Sequence, residues 1–385
     1  MSWATWAAQQ GESIRAGGRW RSPRVFDAAG PAGLMGESAV VSFASNDYLG
    51  LTQHPRVRAA AKAAVDRWGA GSGAARLIVG SRPVHAELEA ALAAWKGEEA
   101  AVVFPTGFAA NLGVLSTLAG PGRRVLSDEL NHASIVDGCR LSRAPVGIYR
   151  HADAGHCATL LAESRKPTVV VTDLVFSMDG DLAPVTELAC ACQAHGALLV
   201  LDEAHAILGP DVVPACEYLR VGTLSKTLGA LGGFATGRRV FTDLLVNRAR
   251  SYIFTTAPSP ADAAAALAAI DVVRSAEGDA LRSRLRDVVD RIAPGHPSPV
   301  LPVLIGDERR ALAVADALLE RGLLVPAIRP PTVPEGTCRL RVALSAAHTD
   351  AQLDALAAGL DACWPAWRAW PTPPPAAGHR RDPPS

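Results

Sequence analysis

The 385-residue chain lacks net charge, with Lys+Arg and Asp+Glu at 38 each. Without a basic excess it does not read as a general nucleic-acid or anionic-membrane binder, although a local anion pocket is compatible with it. It is also poor in lysine. Only Lys62, Lys96, Lys166 and Lys226 are present, and the other 34 cations are arginines. Chemistry that needs an amine of adjustable pKa therefore has four side-chain candidates. The seven cysteines (Cys139, Cys157, Cys190, Cys192, Cys216, Cys338, Cys363) are odd in number and contain no CxxC pair. That pattern argues against structural zinc and for a reducing compartment. The start, MSWATWAAQQGES, lacks the basic flank and apolar core of a signal peptide, and the most apolar stretch, Ala263 to Ile270, is too short to span a bilayer. A cytoplasmic protein with no metal is the expectation.

What is present is globular. Hydrophobic residues make up 49% and charged ones 20%, which excludes a disordered chain, and the length suits about two packed units. Residues 1–40 read as an N-terminal helix and an irregular arm. Residues 41–275 alternate short apolar runs with longer amphipathic ones. Strands are expected at Ala101–Phe104, Arg124–Ser127, Gly147–Arg150, Thr168–Thr172, Ala197–Leu201, Arg220–Thr223 and Gly233–Thr236. Helices such as Val84–Trp95, Ala109–Leu118 and Glu187–His195 fall between them. Continuous apolar strands separated by helices predict an α/β fold with a mostly parallel sheet covered on both faces. Chemistry in such a sheet gathers at the carboxyl ends of the strands. One long helical run from Ala261 to Ile292 leads into a smaller C-terminal unit, 276–367, read as strand, helix, strand. Residues 368–385 form a Pro-rich segment that reads as a disordered tail.

Four segments carry chemistry. In LLVLDEAH an apolar strand runs into Asp202 and His205. A carboxylate there is buried and needs a cationic partner. It is either a helix-capping group or the acceptor for a protonated ring nitrogen. In GTLSKTLG, Lys226 sits among Thr223, Ser225 and glycines rather than on a charged helix face. An amine there can form a Schiff base with a carbonyl cofactor and the hydroxyls can hold a phosphate, although a plain surface loop is the competing reading. FPTGFAAN is a strand, a turn at Gly107–Phe108 and a helix start, which is a natural phosphate cradle and also a common α/β turn. In LSDELNHASI, His132 is either a helix cap or an aromatic ring stacked on a cofactor face. Each signal is modest alone, but their order along one sheet is not a pattern that packing demands.

These motifs resemble the α-oxoamine synthases, a pyridoxal-phosphate family of the aspartate-aminotransferase fold (fold type I). The resemblance runs through FASNDYLGL, GAGSGAARLIVG, FPTGFAANLGV, LNHASIVDG, VFSMDGDLAPV, LDEAH, TLSKTLGALGG and AIRPPTVPEGTCRLRVALSAAH. The last segment is similar to the branch that serves biotin biosynthesis. The resemblance implies a C-acyltransferase that condenses L-alanine with a pimeloyl thioester, on coenzyme A or on an acyl-carrier protein, with loss of CO2. It implies pyridoxal 5'-phosphate as cofactor and a homodimer with shared active sites. Position by position, Lys226 matches the Schiff-base lysine, Asp202 the partner of the pyridine nitrogen, His132 the stacking histidine and His205 the residue near the ring hydroxyl. Gly107, Phe108, Thr223 and, from the second subunit, Thr256 match phosphate-side positions, and Ser177 matches a serine at the cofactor ring. Arg341 matches the residue that binds the amino-acid carboxylate, with Arg339 as competitor two residues away. Arg21 and Asn46 match substrate-side positions. The loop after His205 is much shorter than the family's usual one. Readings left open are a sister enzyme using glycine or serine, a non-catalytic scaffold of the same fold, and a nicotinamide oxidoreductase, for which a strand-bound GxGxxG is missing.

Overall fold

The structure is a computed structural model describing residues 1–368, so the tail expected over 368–385 lies, from residue 369 on, outside the described residues. An N-terminal helix, Trp3–Ala16, precedes three short strands: β1 (Asp27–Ala28), β2 (Ala32–Met35) and β3 (Ser38–Ser42). The seven strands that follow are β4 (Ala100–Phe104), β5 (Arg124–Asp128), β6 (Val146–Tyr149), β7 (Thr168–Asp173), β8 (Leu198–Asp202), β9 (Tyr218–Thr223) and β10 (Gly233–Gly237). They form one sheet in the order β4-β10-β9-β8-β7-β5-β6. All pairings are parallel except those of β10, which runs antiparallel to both β4 and β9.

Strand side chains alternate between two cores, which is why the central strands are apolar throughout. Val169, Val171, Val200 and Val221 pack on one face with Phe104, Ile135 and Tyr252. Val170, Leu199 and Leu201 pack on the other with Leu126, Tyr149, Leu161 and Leu188. Each such fully buried aliphatic side chain contributes about 1.5–3 kcal/mol. Most polar residues therefore fall at the strand ends, where the sheet runs out of cover; Arg220, inside β9, is buried against Glu98 and Glu203.

Three expectations are corrected. The arm before residue 40 is not irregular, because β1, β2 and β3 form a meander that continues into a parallel pair with Leu323–Leu324. Gly36, at φ 62°, makes the tight turn between β2 and β3. The run Ala261–Ile292 is two helices, Pro260–Val273 and Ala276–Ile292. It breaks because side chains take the freed carbonyls: Ser275 Oγ donates to Val272 O at 2.7 Å and Arg282 Nη1 to Val273 O at 2.8 Å. The C-terminal unit holds more than strand, helix and strand. Its antiparallel sheet joins β11 (Val300–Gly306), β13 (Ala327–Ile328) and β14 (Cys338–Ala343), β12 being Leu323–Leu324, and helices Glu308–Glu320 and Asp350–Cys363 cover it.

Candidate active site

Five strands, β4, β5, β7, β8 and β9, deliver their following loops to one cavity. Its wall comprises Gly107, Phe108, Asn111, His132, Ser134, Asp173, Ser177, Asp202, Ala204, His205, Gly222, Thr223, Ser225 and Lys226. Eight expected residues thus meet: Gly107, Phe108, His132, Ser177, Asp202, His205, Thr223 and Lys226.

The cradle is built from small residues. Thr106 caps the helix Gly107–Leu118 by accepting from Ala109 N at 3.0 Å. A Cβ on Gly107 would lie 3.2 Å from Thr223 Cβ, and one on Gly233 would lie 2.4 Å from Thr106 O. Two chain segments can approach there only because both positions are glycine. Thr223 Oγ1 and Ser225 Oγ stand 2.7 Å apart beside the helix start, and together with its first N–H groups they make a donor set suited to a phosphate.

On the opposite side, Asp202 ends β8 with 5% of its surface exposed. It accepts from Asn111 Nδ2 at 2.6 Å and from Ala204 N at 2.9 Å, and no ion pair reaches it among the described residues. The same amide of Asn111 donates to Ser134 Oγ at 2.9 Å, and that hydroxyl lies 2.7 Å from His132 Nδ1. Ser134 N also donates to Nδ1 at 3.2 Å, so His132 caps its helix as well as lining the cavity. With Nδ1 accepting, the ring is the neutral Nε2–H tautomer. Burial, helped by Lys226, lowers the His132 pKa against the pull of Asp202. His205 is pushed well below the ordinary value by burial, then by Lys226, Arg341 and His132. Its Nδ1 is 2.6 Å from the Tyr48 hydroxyl, which burial holds at about 12.

Lys226 Nζ has no hydrogen-bond or ion-pair partner among the described residues. Burial lowers its pKa, opposed by Asp202 and Asp173. A buried carboxylate without a cation and an amine without an acceptor, sharing one cavity with a phosphate-type cradle, fit a group bearing a carbonyl, a basic ring nitrogen and a phosphate.

Arg341 and Asn46 adjoin the cavity: Arg341 Nε donates to Ser177 O at 2.6 Å and Nη2 to Asn46 Oδ1 at 3.1 Å. Arg339 is turned elsewhere, onto Asp179 and Thr337 O. Two expected residues are not brought to the cavity within one chain. Thr256 is exposed on the link between helices. Arg21 lines a separate cleft with Trp20, Arg24, Arg329 and Thr332, because Arg329 holds Gly18 O and Arg19 holds Glu308, pinning the arm to the C-terminal unit. Sequence reasoning missed Asn111, Ser134, Tyr48 and Asp173. Asp173 ends the apolar strand TVVVTD just as Asp202 ends LLVLD, and that shared signal could have found it.

The family model for aminotransferase class I and II matches residues 38–360. An 8-amino-7-oxononanoate synthase of Anaeromyxobacter dehalogenans is 51% identical over 384 residues, covering 94% of this chain and 96% of the relative. Another, from Alkalilimnicola ehrlichii, is 47% identical over 90% of this chain and 94% of the relative. Among solved structures, a serine palmitoyltransferase of S. paucimobilis with bound pyridoxal phosphate and myriocin superposes with a TM-score of 0.87 at 30% identity, covering 94% of this chain and 97% of that one. The chain belongs to the class I and II aminotransferase family, and within it to the family of the 8-amino-7-oxononanoate synthases.

Proposed function

We propose that this chain condenses L-alanine with a pimeloyl thioester to give 8-amino-7-oxononanoate, CO2 and the free thiol, using pyridoxal phosphate. The observation that carries the reading is the pairing of Lys226 with Asp202, neither ion-paired, on one cavity of a chain 51% identical to a synthase of that name. Bound there, the cofactor supplies an electron sink for the pair left at the alanine Cα.

The chain's own residues do the rest. Thr223, Ser225 and the helix start at Gly107–Phe108 hold the phosphate. Asp202, fixed by Asn111 and Ala204, keeps the ring nitrogen protonated, while His132, Ser177 and His205 border the ring. Arg341, held in place by Ser177 O and Asn46 Oδ1, takes the alanine carboxylate through its guanidinium. Lys226, its pKa lowered by burial, is suited to removing the Cα proton at working pH and returning one at the end. The Nε2–H of His132 donates to the substrate carboxylate or carbonyl as the thiol and CO2 depart.

The working unit is proposed as a homodimer. Leu77, Ile78, Val79 and Phe254 are exposed large apolar side chains, and Phe108 on the cavity wall is 43% exposed. Ala257 N donates to Ala74 O at 3.0 Å and Ser251 Oγ to Ala109 O at 2.6 Å, which gathers these segments at one rim. A second copy on that rim would bury them and bring its Thr256 to the phosphate side.

The test is a turnover matrix of alanine, glycine and serine against pimeloyl and shorter thioesters, on coenzyme A and on carrier protein. Alanine with the pimeloyl group should dominate. Preference for glycine or serine would move the chain to a sister activity, and no turnover with any pair would overturn the reading.

A further inference from the structure

His151 follows β6, the edge strand, and lies off the cavity wall, yet both of its ring nitrogens are held by carboxylates. Its Nδ1 is 3.0 Å from Asp128 Oδ1 and its Nε2 2.8 Å from Asp181 Oδ2, while the ring stands edge-on to Phe176 with centroids 4.4 Å apart. Ionised carboxylates carry no hydrogen, so both ring nitrogens must donate and the ring is an imidazolium. The groups facing it are acidic: Asp128 and Asp181 at the ring, and Glu129, whose Oε1 accepts from His151 N at 2.9 Å. Burial pushes its pKa down, but the two carboxylates overcome this and raise it to about 10.

The two carboxylates belong to two walls of the cavity. Asp128, 2% exposed, begins the turn that ends at His132, and it also accepts from Leu130 N at 2.9 Å and Ala152 N at 2.8 Å. Asp181 closes the turn that carries Ser177, since Phe176 N donates to Asp181 O at 3.1 Å and Gly180 N to Phe176 O at 2.7 Å. On the inner side the same turns are tied to other strands, by Asn131 Nδ2 to Val171 O at 2.9 Å and by Arg341 Nε to Ser177 O at 2.6 Å. The outer ends meet at His151.

We propose that His151 is a positioning residue whose cation, bridging Asp128 and Asp181, sets the spacing between His132 and Ser177. The role rests on the cofactor reading of the cavity. Replacing the ring by a neutral group leaves two like charges facing each other, and they relax apart. A displacement of the order of 1 Å at reacting groups costs about a hundredfold in rate.

The experiment has two arms. In the wild-type protein, nitrogen NMR of the imidazole should find both ring nitrogens protonated up to pH 9, and a neutral ring at pH 7.5 overturns the proposal. In the second arm His151→Gln, Asp181→Asn and the double variant are compared with wild type. The readouts are equilibrium binding of pyridoxal phosphate to the apo-protein, the pH titration of the bound cofactor's visible absorbance, KM and kcat with alanine, and Tm. His151→Gln should weaken cofactor binding or kcat about tenfold to a hundredfold and shift the absorbance titration. The double variant, freed of one unpaired charge, should recover part of both. Wild-type binding, titration and turnover with only a lower Tm would make the bridge merely structural and sink the proposal. If His151→Gln does not fold, Asp181→Asn alone decides by the same readouts. Failure of the wild-type chain to bind pyridoxal phosphate would instead sink the functional reading and leave the NMR result standing.

Discussion

Asp173 and Asp202 are register partners at the ends of the parallel strands β7 and β8, and each is no more than 5% exposed. Two buried carboxylates side by side do not both carry a full charge at low cost. Burial, then Asp202, holds the Asp173 pKa well above the ordinary value. Asp202 has two N–H donors aimed at it, from Asn111 and Ala204, whereas Asp173 has the single N–H of His132 at 2.8 Å. Asp173 is therefore the member of the pair that burial and its neighbour push toward the protonated form, and Asp202 is the one with two donors aimed at it.

Substitution should expose that asymmetry. Asp173→Asn replaces a protonated acid with a neutral isostere, so kcat should change less than about fivefold. Asp202→Asn should cost about two orders of magnitude or more. Stability adds a sign. A carboxyl whose folded pKa is raised above its unfolded value destabilises the fold progressively as pH rises above the ordinary 3.8 toward the raised value. The apo Asp173→Asn protein should therefore gain stability relative to wild type between pH 4 and pH 8, measured by urea unfolding. A constant difference across that range would contradict the assignment.

The two arginines of RLR should separate cleanly. Arg341→Lys loses the fork and should raise the alanine KM about tenfold or more while leaving cofactor affinity in place. Arg339 is committed to Asp179 and Met178 O. Arg339→Lys should lower Tm by a few degrees with the alanine KM unchanged. The reverse pattern, read by steady-state kinetics and thermal melts, would exchange their roles.

Lys226 should capture pyridoxal phosphate through its neutral amine. Burial lowers its pKa from 10.5, so the second-order capture rate of the apo-protein should rise with pH and level off below 10.5. Stopped-flow absorbance checks this, and Lys226→Ala should show no visible imine band.

Shared sites predict complementation. Lys226→Ala and Thr256→Glu are each inactive alone if every site takes its lysine from one chain and its threonine from the other. Random reassortment of the two should return about a quarter of wild-type activity. No recovery on mixing, with subunit exchange verified by mass, would remove Thr256 from the partner's site.

Much of this was legible in the sequence, for a physical reason. The sheet strands announce themselves because both faces are buried, and the residues that end them, Asp202 after LLVL and Lys226 after a strand and two hydroxyls, break the apolar pattern where chemistry belongs. Arg341 and Arg339 look alike in sequence, since two residues of one strand share a face. Only their partners, Ser177 and Asn46 against Asp179, tell them apart. The meander of β1 to β3 was invisible because its short strands lack a buried apolar run, and Asn111 and Ser134 because a polar residue inside a helix carries no spacing signal.

One consequence follows from the reversed direction of β10. Because β9 and β10 are antiparallel neighbours, the segment bearing Lys226 is a hairpin turn rather than a crossover. It is closed at both ends by Leu224 N to Gly232 O at 2.9 Å and Ala230 N to Leu224 O at 2.9 Å. Gly229, at φ 62°, presses it against the backbone of Leu51 and Thr52. A hairpin closed and pressed in this way should tolerate insertion or deletion less well than the loop after His205. With Lys226 in its proposed role, every excursion of its amine would be a rotation of four methylene groups about a stationary anchor, and a library that varies loop lengths should find the hairpin 224–232 the least forgiving link in the chain.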